Sequence, residues 1–318
     1  MSKPSEKIGI IGSGLIGRSW AMLFAGGGYD VHLFDVEQKR IGEALSDIKT
    51  QLKDLEKKGM LRGKLNAEQQ AALIKPAATL EEVVTGALYV QECVFEDVNL
   101  KRDVFKQLDA IVDDKTILAS STSCFPPSQF TEDLKHRGQC IVAHPVNPPY
   151  YVPLVEVIPA PWTDSQVTQT TRAIQDRIGQ KPVVLNKEVE GFALNRIQYA
   201  ILNECWNLIE DGVLSVRDAD TVMSEGLGMR YAFLGPLETA HLNAEGTQEY
   251  FAKYASGIIR VSNTFKGIPT YSKETTDVVD QALSAKMPVA ELTKWRKWRD
   301  TRLALLSKLK RDADKESE

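Results

Sequence analysis

The sequence predicts an α/β chain: a doubly wound, largely parallel sheet followed by an all-α C-terminal domain. Three observations carry this. Short apolar runs alternate with helical segments through the first part of the chain. The first run, 7–11, feeds directly into Gly12-Ser13-Gly14-Leu15-Ile16-Gly17. Beyond residue 187 strand-like alternation ceases and only helical periodicity is left.

The glycine spacing suits a dinucleotide turn. Gly12 makes the tight exit from the strand, Gly14 lets a pyrophosphate approach the backbone, and Gly17 lets the helix sit close to the sheet. The helix start then offers unpaired N–H groups and the positive dipole end to phosphate. The second apolar run, 31–35, ends in Asp35, 23 positions after Gly12. A carboxylate there accepts hydrogen bonds from both hydroxyls of an adenosine ribose and repels a 2′-phosphate. The expected cofactor is therefore NAD rather than NADP, a preference that Lys39 and Arg40 could soften. Strand, turn, helix, strand and acid in this order describe a Rossmann-like unit.

Further strands are expected at 89–94, 116–120, 140–143 and 153–158. Between the second and third strands, Ile41, Leu45, Ile48, Leu52 and Leu55 line one helix face. The heptads are too few for a coiled coil, so this helix is expected to pack on its own neighbours. A turn follows around Gly59–Gly63, and Asn66…Gln69 and Thr79…Glu82 read as capping boxes. The helix over 192–211 is apolar on more than one face, which predicts burial on nearly all sides, in a core or at a subunit contact. Ser215…Asp218 caps the next helix. Two more are expected at 274–287 and 288–310, with a charged, fraying end at 311–318. The expected division is 1–187, a nucleotide-binding domain, and 188–318, a helical domain for substrate and dimer contacts.

Composition narrows the function. A length of 318 residues suggests about two domains. The net charge of −4 argues against nucleic acid or an anionic membrane as partner. No apolar run reaches the length of about 18 residues that a membrane span needs. Cys93, Cys124, Cys140 and Cys205 form no Cys-x-x-Cys pair, so neither a metal site nor a disulfide framework is expected. The polar start lacks an apolar signal core, and a cytoplasmic location is expected.

Three segments hold candidate chemistry. Ser123 follows the 116–120 strand, where α/β sheets place ligands, and is either a hydroxyl donor or a turn cap. His144 ends one apolar strand and Glu156 lies inside the next. A carboxylate in an apolar strand needs a partner. An antiparallel return would set Glu156 beside His144, where it would orient the ring and stabilise the imidazolium. The alternative is a structural histidine and an edge glutamate. Asn195 heads the long helix, either as a site amide or as an ordinary first-turn polar residue.

The glycine motif, Ser120-x-x-Ser123, His144-x-x-Asn147-Pro148, Leu154-Val155-Glu156-Val157 and Gly191-Phe192-x-x-Asn195-Arg196 together resemble the 3-hydroxyacyl-CoA dehydrogenase superfamily over nearly the whole chain. The resemblance implies NAD-dependent oxidation of a 3-hydroxyl. His144 would be the general base and Glu156 its partner. Ser123 and Asn195 would hydrogen-bond the reacting oxygen and the surroundings of the histidine, with Asn147 on the nicotinamide side. Leu15 and Ile16 would lie against the cofactor and Asp35 on its ribose. Glu96 and Lys101 match a Glu-x-x-x-x-Lys segment lining the cofactor; read alone they are a solvated charge pair. A homodimer through the helical domain is also implied.

Arg230 stands in Gly226-Leu227-Gly228-Met229-Arg230-Tyr231, where acyl-CoA members usually carry Tyr-Pro. A guanidinium fork binds a carboxylate bidentately. Arg230 is therefore expected to anchor the free carboxylate of a small 3-hydroxy acid, with a salt bridge to Glu225 or Glu238 as the alternative. A carboxylate substrate that carries a trimethylammonium would also need an aromatic or acidic site, for which Trp295, Trp298 and Tyr231 are candidates. A purely structural role or an NAD sensor without turnover is the other class of function; intact Ser123, His144, Glu156 and Asn195 argue for an enzyme.

Overall fold

The computed structural model describes residues 6–316. The chain divides into two compact units, Met1–Arg196 with Asp300–Asp312, and Ile197–Arg299 with Ala313–Glu318. The boundary thus falls after Arg196, inside a helix, where the sequence predicted residue 187. Residues 300–312 of the last helix belong with the first unit.

The first unit is built on an eight-stranded sheet. Its strands are β1 (Lys7–Ile11), β2 (Asp30–Phe34), β3 (Ile74–Pro76), β4 (Ala87–Glu92), β5 (Ile117–Ser120), β6 (Cys140–Pro145), β7 (Leu154–Pro159) and β8 (Lys181–Val184), in the spatial order β3-β2-β1-β4-β5-β6-β7-β8. Every pairing is parallel except β6 with β7. The order reverses direction between β1 and β4, and ligands bind beyond the carboxyl ends of such strands.

The helices of this unit are α1 (Leu15–Gly26), α2 (Gln38–Lys57), α3 (Ala67–Ala72), α4 (Leu80–Val84), α5 (Val98–Asp109), α6 (Ser128–Thr131) and α7 (Ser165–Arg177). Period-two alternation splits the strand side chains between two cores. Ile8, Ile10, Ile141 and Ala143 face one side with Trp20 and Phe24. Ile11, Cys140 and Val142 face the other with Phe105 and Phe130. The α2 stripe packs on the first of these cores through Ile41, Ile48, Leu52 and Leu55. Asn66 and Gln69 form a full capping box at α3, whereas Thr79 caps α4 through Glu82 N–H alone. Arg62, on the loop after α2, is buried and donates to the carbonyls of Tyr150, Ile178 and Gly179 and to Gln180 Oε1, tying down the loop that follows β6.

The remaining helices are α8 (Leu194–Glu210), α9 (Val216–Thr221), α10 (Gly228–Arg230), α11 (Pro236–Leu242), α12 (Thr247–Ser262), α13 (Lys273–Lys286) and α14 (Leu292–Glu316), with a π-helical turn at Val222–Leu227. No strand interrupts them among the described residues, as the loss of alternation predicted. Within the chain the 192–211 helix is not buried on nearly all sides. Ile197 is 63% exposed, and Tyr199 and Leu202 are exposed as well. These side chains lie open among the described residues, so continuous apolarity did not signal intrachain burial.

Candidate active site

The glycine turn has the geometry its spacing foretold. Gly12 adopts φ +100°, and a Cβ there would meet the Cys93 carbonyl oxygen at 2.6 Å. A Cβ on Gly17 would come 1.9 Å from the Gly12 carbonyl oxygen. Nothing lies within 4 Å of the same position on Gly14, which leaves its backbone approachable. No side chain caps α1 and its first turn holds no acid, so its leading N–H groups are uncommitted to an anionic side chain. Leu15 is exposed and Ile16 half-buried at this start. These features fit the pyrophosphate of a dinucleotide.

Asp35 follows β2 and is turned back onto that turn. Its Oδ2 accepts the Ser13 N–H at 2.8 Å and the Ser13 hydroxyl at 2.7 Å, and Oδ1 accepts the Glu37 N–H at 3.0 Å. Burial raises its pKa, but the Ser13 hydroxyl and N–H, the Glu37 N–H and the Arg40 charge outweigh this and hold it below the ordinary value. Asp35 is therefore an anion at neutral pH, as recognition of ribose hydroxyls requires.

On the antiparallel pair, His144 and Glu156 face each other in register. Glu156 Oε2 lies 2.8 Å from His144 Nδ1. Glu156 Oε1 accepts the N–H groups of Ala193 and Leu194 at 2.8 and 2.9 Å. The turn before α8 aims those groups: Gly191 and Phe192 both take positive φ, 71° and 53°. Left-handed backbone costs a non-glycine residue about 1–2 kcal/mol. Phe192 is held there by complete burial, its ring 5.5 Å from the imidazole. Burial raises the Glu156 carboxyl, but His144 and the two N–H groups together bring it below its ordinary value. The carboxylate can only accept, so Nδ1 is the donor, and in the neutral ring Nε2 carries the lone pair. Among the described residues no hydrogen bond engages Nε2.

Ser123 and Asn195 are joined directly: the Asn195 amide donates to the Ser123 carbonyl at 2.8 Å. The Ser123 hydroxyl and N–H both reach Glu96 Oε1, at 3.1 and 2.8 Å. Capping of the turn after β5 falls instead to Thr122, whose hydroxyl accepts from Phe125 N–H at 3.2 Å. Lys101 Nζ lies 3.4 Å from Glu96 Oε2 and 3.1 Å from Glu92 Oε1. Lys101 is not a solvated charge, being 1% exposed, whereas Glu96 reaches solvent. Sequence reasoning passed over Glu92, the wholly buried last residue of β4, although its setting, an acid in an apolar strand, is the one that flagged Glu156. Asn147 is exposed, and the structure ties it to none of these residues.

Arg230 ends α10, in the second unit, and is exposed. It forms no ion pair with Glu225 or Glu238 among the described residues; Glu238 instead accepts the Gly235 N–H at 2.7 Å. Burial pushes the Cys93 thiol up to about 12 and the Cys124 thiol up to about 11, so neither is a thiolate nucleophile at neutral pH.

Sequence comparison accords with this geometry. The 3-hydroxyacyl-CoA dehydrogenase NAD binding domain matches residues 7–189, and the C-terminal domain of the same family matches residues 191–268. Lambda-crystallin of Oryctolagus cuniculus is 52% identical over 304 residues, 95% of each chain. L-carnitine dehydrogenase of Streptomyces griseus is 34% identical, over 74% of this chain and 68% of its own length. A crystal structure of 5-formyl-3-hydroxy-2-methylpyridine 4-carboxylic acid 5-dehydrogenase, an NAD+-dependent dismutase, superimposes with TM-score 0.78 and 27% identity, covering 96% of this chain and 99% of that one. A dinucleotide turn, a histidine–glutamate pair across β6 and β7, and both domain matches lead to one assignment: the chain is an NAD-dependent oxidoreductase belonging to the 3-hydroxyacyl-CoA dehydrogenase family.

Proposed function

We propose that this chain oxidises the 3-hydroxyl of a small free 3-hydroxy acid, with L-gulonate, giving 3-dehydro-L-gulonate, as the leading candidate. The observation that carries the chemistry is the 2.8 Å contact of Glu156 with His144 Nδ1, which leaves Nε2 as the base. Nε2 takes the hydroxyl proton, and the neighbouring carboxylate stabilises the imidazolium as it forms. The Ala193 and Leu194 N–H groups stop that carboxylate from rotating away. NAD, when bound, supplies the hydride acceptor. Gly12, Gly14, Leu15, Ile16 and Gly17 form its turn, Asp35 takes the ribose, and Glu96 and Lys101 line it. Ser123 and Asn195, already joined, hydrogen-bond the reacting oxygen, and Asn147 backs the nicotinamide side.

Arg230 supports the choice of a free acid. It is a cation without an ion-pair partner among the described residues, and a carboxylate suits its fork. A coenzyme A thioester has no free carboxylate at the corresponding carbon. The L-carnitine relatives favour a second acid, and the Trp295–Trp298 ring pair, 5.5 Å apart, is a candidate cradle for its trimethylammonium. The partners of this reading are the small substrate and a second copy of the chain, in the cytoplasm. The test is NADH formation by the purified protein with NAD and L-gulonate, L-carnitine, 3-hydroxybutyrate or 3-hydroxybutyryl-CoA. The highest kcat/KM is expected on L-gulonate. Preference for the thioester would overturn the free-acid reading.

A further inference from the structure

Glu92 carries a charge the mechanism above does not use. It closes β4 at the point where the sheet reverses order, opposite Ile11 of β1 and Ser120 of β5. Its exposure is 0%. An isolated carboxylate there would be prohibitively costly, and this one is fully engaged. Oε1 accepts the Val94 N–H at 2.6 Å and Lys101 Nζ at 3.1 Å. Oε2 accepts the Ser120 hydroxyl at 2.6 Å and Lys101 Nζ at 3.3 Å.

Two routes lead from it to the turn after β5. In one, Lys101 links Glu92 to Glu96, and Glu96 holds the hydroxyl and N–H of Ser123. In the other, the Ser120 oxygen that donates to Glu92 accepts the Thr122 N–H at 3.2 Å. A third contact, through Val94 N–H, steadies the backbone beside Cys93, whose carbonyl packs on Gly12.

Lys101 has two carboxylate neighbours, and the closer is Glu92. With Glu92 neutral, the whole buried ammonium charge would turn to Glu96. Glu96 would then move toward Lys101 and away from Ser123. We infer that Glu92 is a positioning residue, which holds Lys101 back so that Glu96 and Ser123 stay set for the bound dinucleotide and alcohol. This rests on the reading of Glu96 as a cofactor-lining residue.

The test is NADH affinity, followed by the fluorescence of the bound dinucleotide, which needs no substrate. Glu92→Gln keeps shape and removes charge, and is expected to raise the NADH dissociation constant about tenfold, or about 1.4 kcal/mol. Glu96→Gln should do the same. Removing both buried charges together is generally tolerated, so Glu92→Gln/Lys101→Met covers the case in which the single variant does not fold. It should bind NADH as weakly as Lys101→Met alone, since the charge of Glu92 acts through Lys101 while Gln keeps hydrogen bonds to the Ser120 hydroxyl and the Val94 N–H. Wild-type affinity in folded Glu92→Gln, with Glu96→Gln impaired, would overturn this inference alone. A double variant much weaker than Lys101→Met would overturn it too. Wild-type affinity in Glu96→Gln would overturn both this inference and the cofactor-lining reading beneath it.

Discussion

At the scale of single residues, the proposed base pair His144–Glu156 lies apart from the proposed dinucleotide contacts. The imidazole meets Glu156 and the Phe192 ring, while the glycine turn and Asp35 belong to other strands. His144→Gln is therefore expected to lower kcat by about 10²–10⁴, with NADH affinity changed less than threefold, about 0.7 kcal/mol. Stopped-flow turnover beside NADH titration checks this, and near-normal turnover would remove the base assignment. Glu156 also adds a pH signature. Its folded pKa lies below the ordinary value of 4.5, so its contribution to stability is complete above that value and fades as pH falls through the depressed one. The melting-temperature gap between wild type and Glu156→Gln should narrow as pH falls from about 7 to about 3; a constant gap would contradict the pairing. These two residues were legible because each breaks an apolar strand. Glu92 breaks one in the same way, but it was masked because its partner, Lys101, comes from a helix rather than a neighbouring strand. Glu96 and Lys101 were legible only through resemblance, since their sequence looks like solvated surface.

At the scale of elements, the three glycines of the turn are not equivalent. Gly14 has open space where a side chain would go and an extended backbone that alanine adopts freely. Gly17 presses on the Gly12 carbonyl. Gly14→Ala should therefore fold with stability within about 0.5 kcal/mol of wild type and lose NADH affinity. Gly17→Ala should lose about 1–3 kcal/mol of stability, because α1 has to move off the turn. Thermal melts with NADH titration separate the two, and equal destabilisation would refute the assigned roles. Six strands were readable from their apolar runs. β3 and β8 were not: they have three and four residues, contain Pro76 and Pro182, and flank the sheet with partly exposed side chains. Such edge strands lack the continuous apolar run that burial on both faces imposes on central ones.

At the scale of the whole molecule, the second unit raises the question of what stabilises it. Val216, Ala219 and Pro269 are its only buried aliphatic side chains among the described residues. Its exposed apolar groups include Ile197, Leu237, Leu242, Phe251, Ile259 and Phe265. Leu234, Leu237 and Leu242 also line an open depression of about 430 Å³ with Glu238 and His241. Large exposed apolar patches mark interaction surfaces. The exposed Ile197, Tyr199 and Leu202 of α8 add to this surface. The proposed homodimer supplies a partner for it, and an obligate dimer ties folding to protomer concentration. Sedimentation at micromolar concentration should give a dimer, and the melting temperature should rise with protein concentration. Phe251→Asp/Ile259→Asp should shift the population to monomer and lower that temperature, because each charge would have to be desolvated at the contact. A wild-type monomer melting in one concentration-independent transition would rule the homodimer out, and would leave the exposed helical faces to a partner of different sequence.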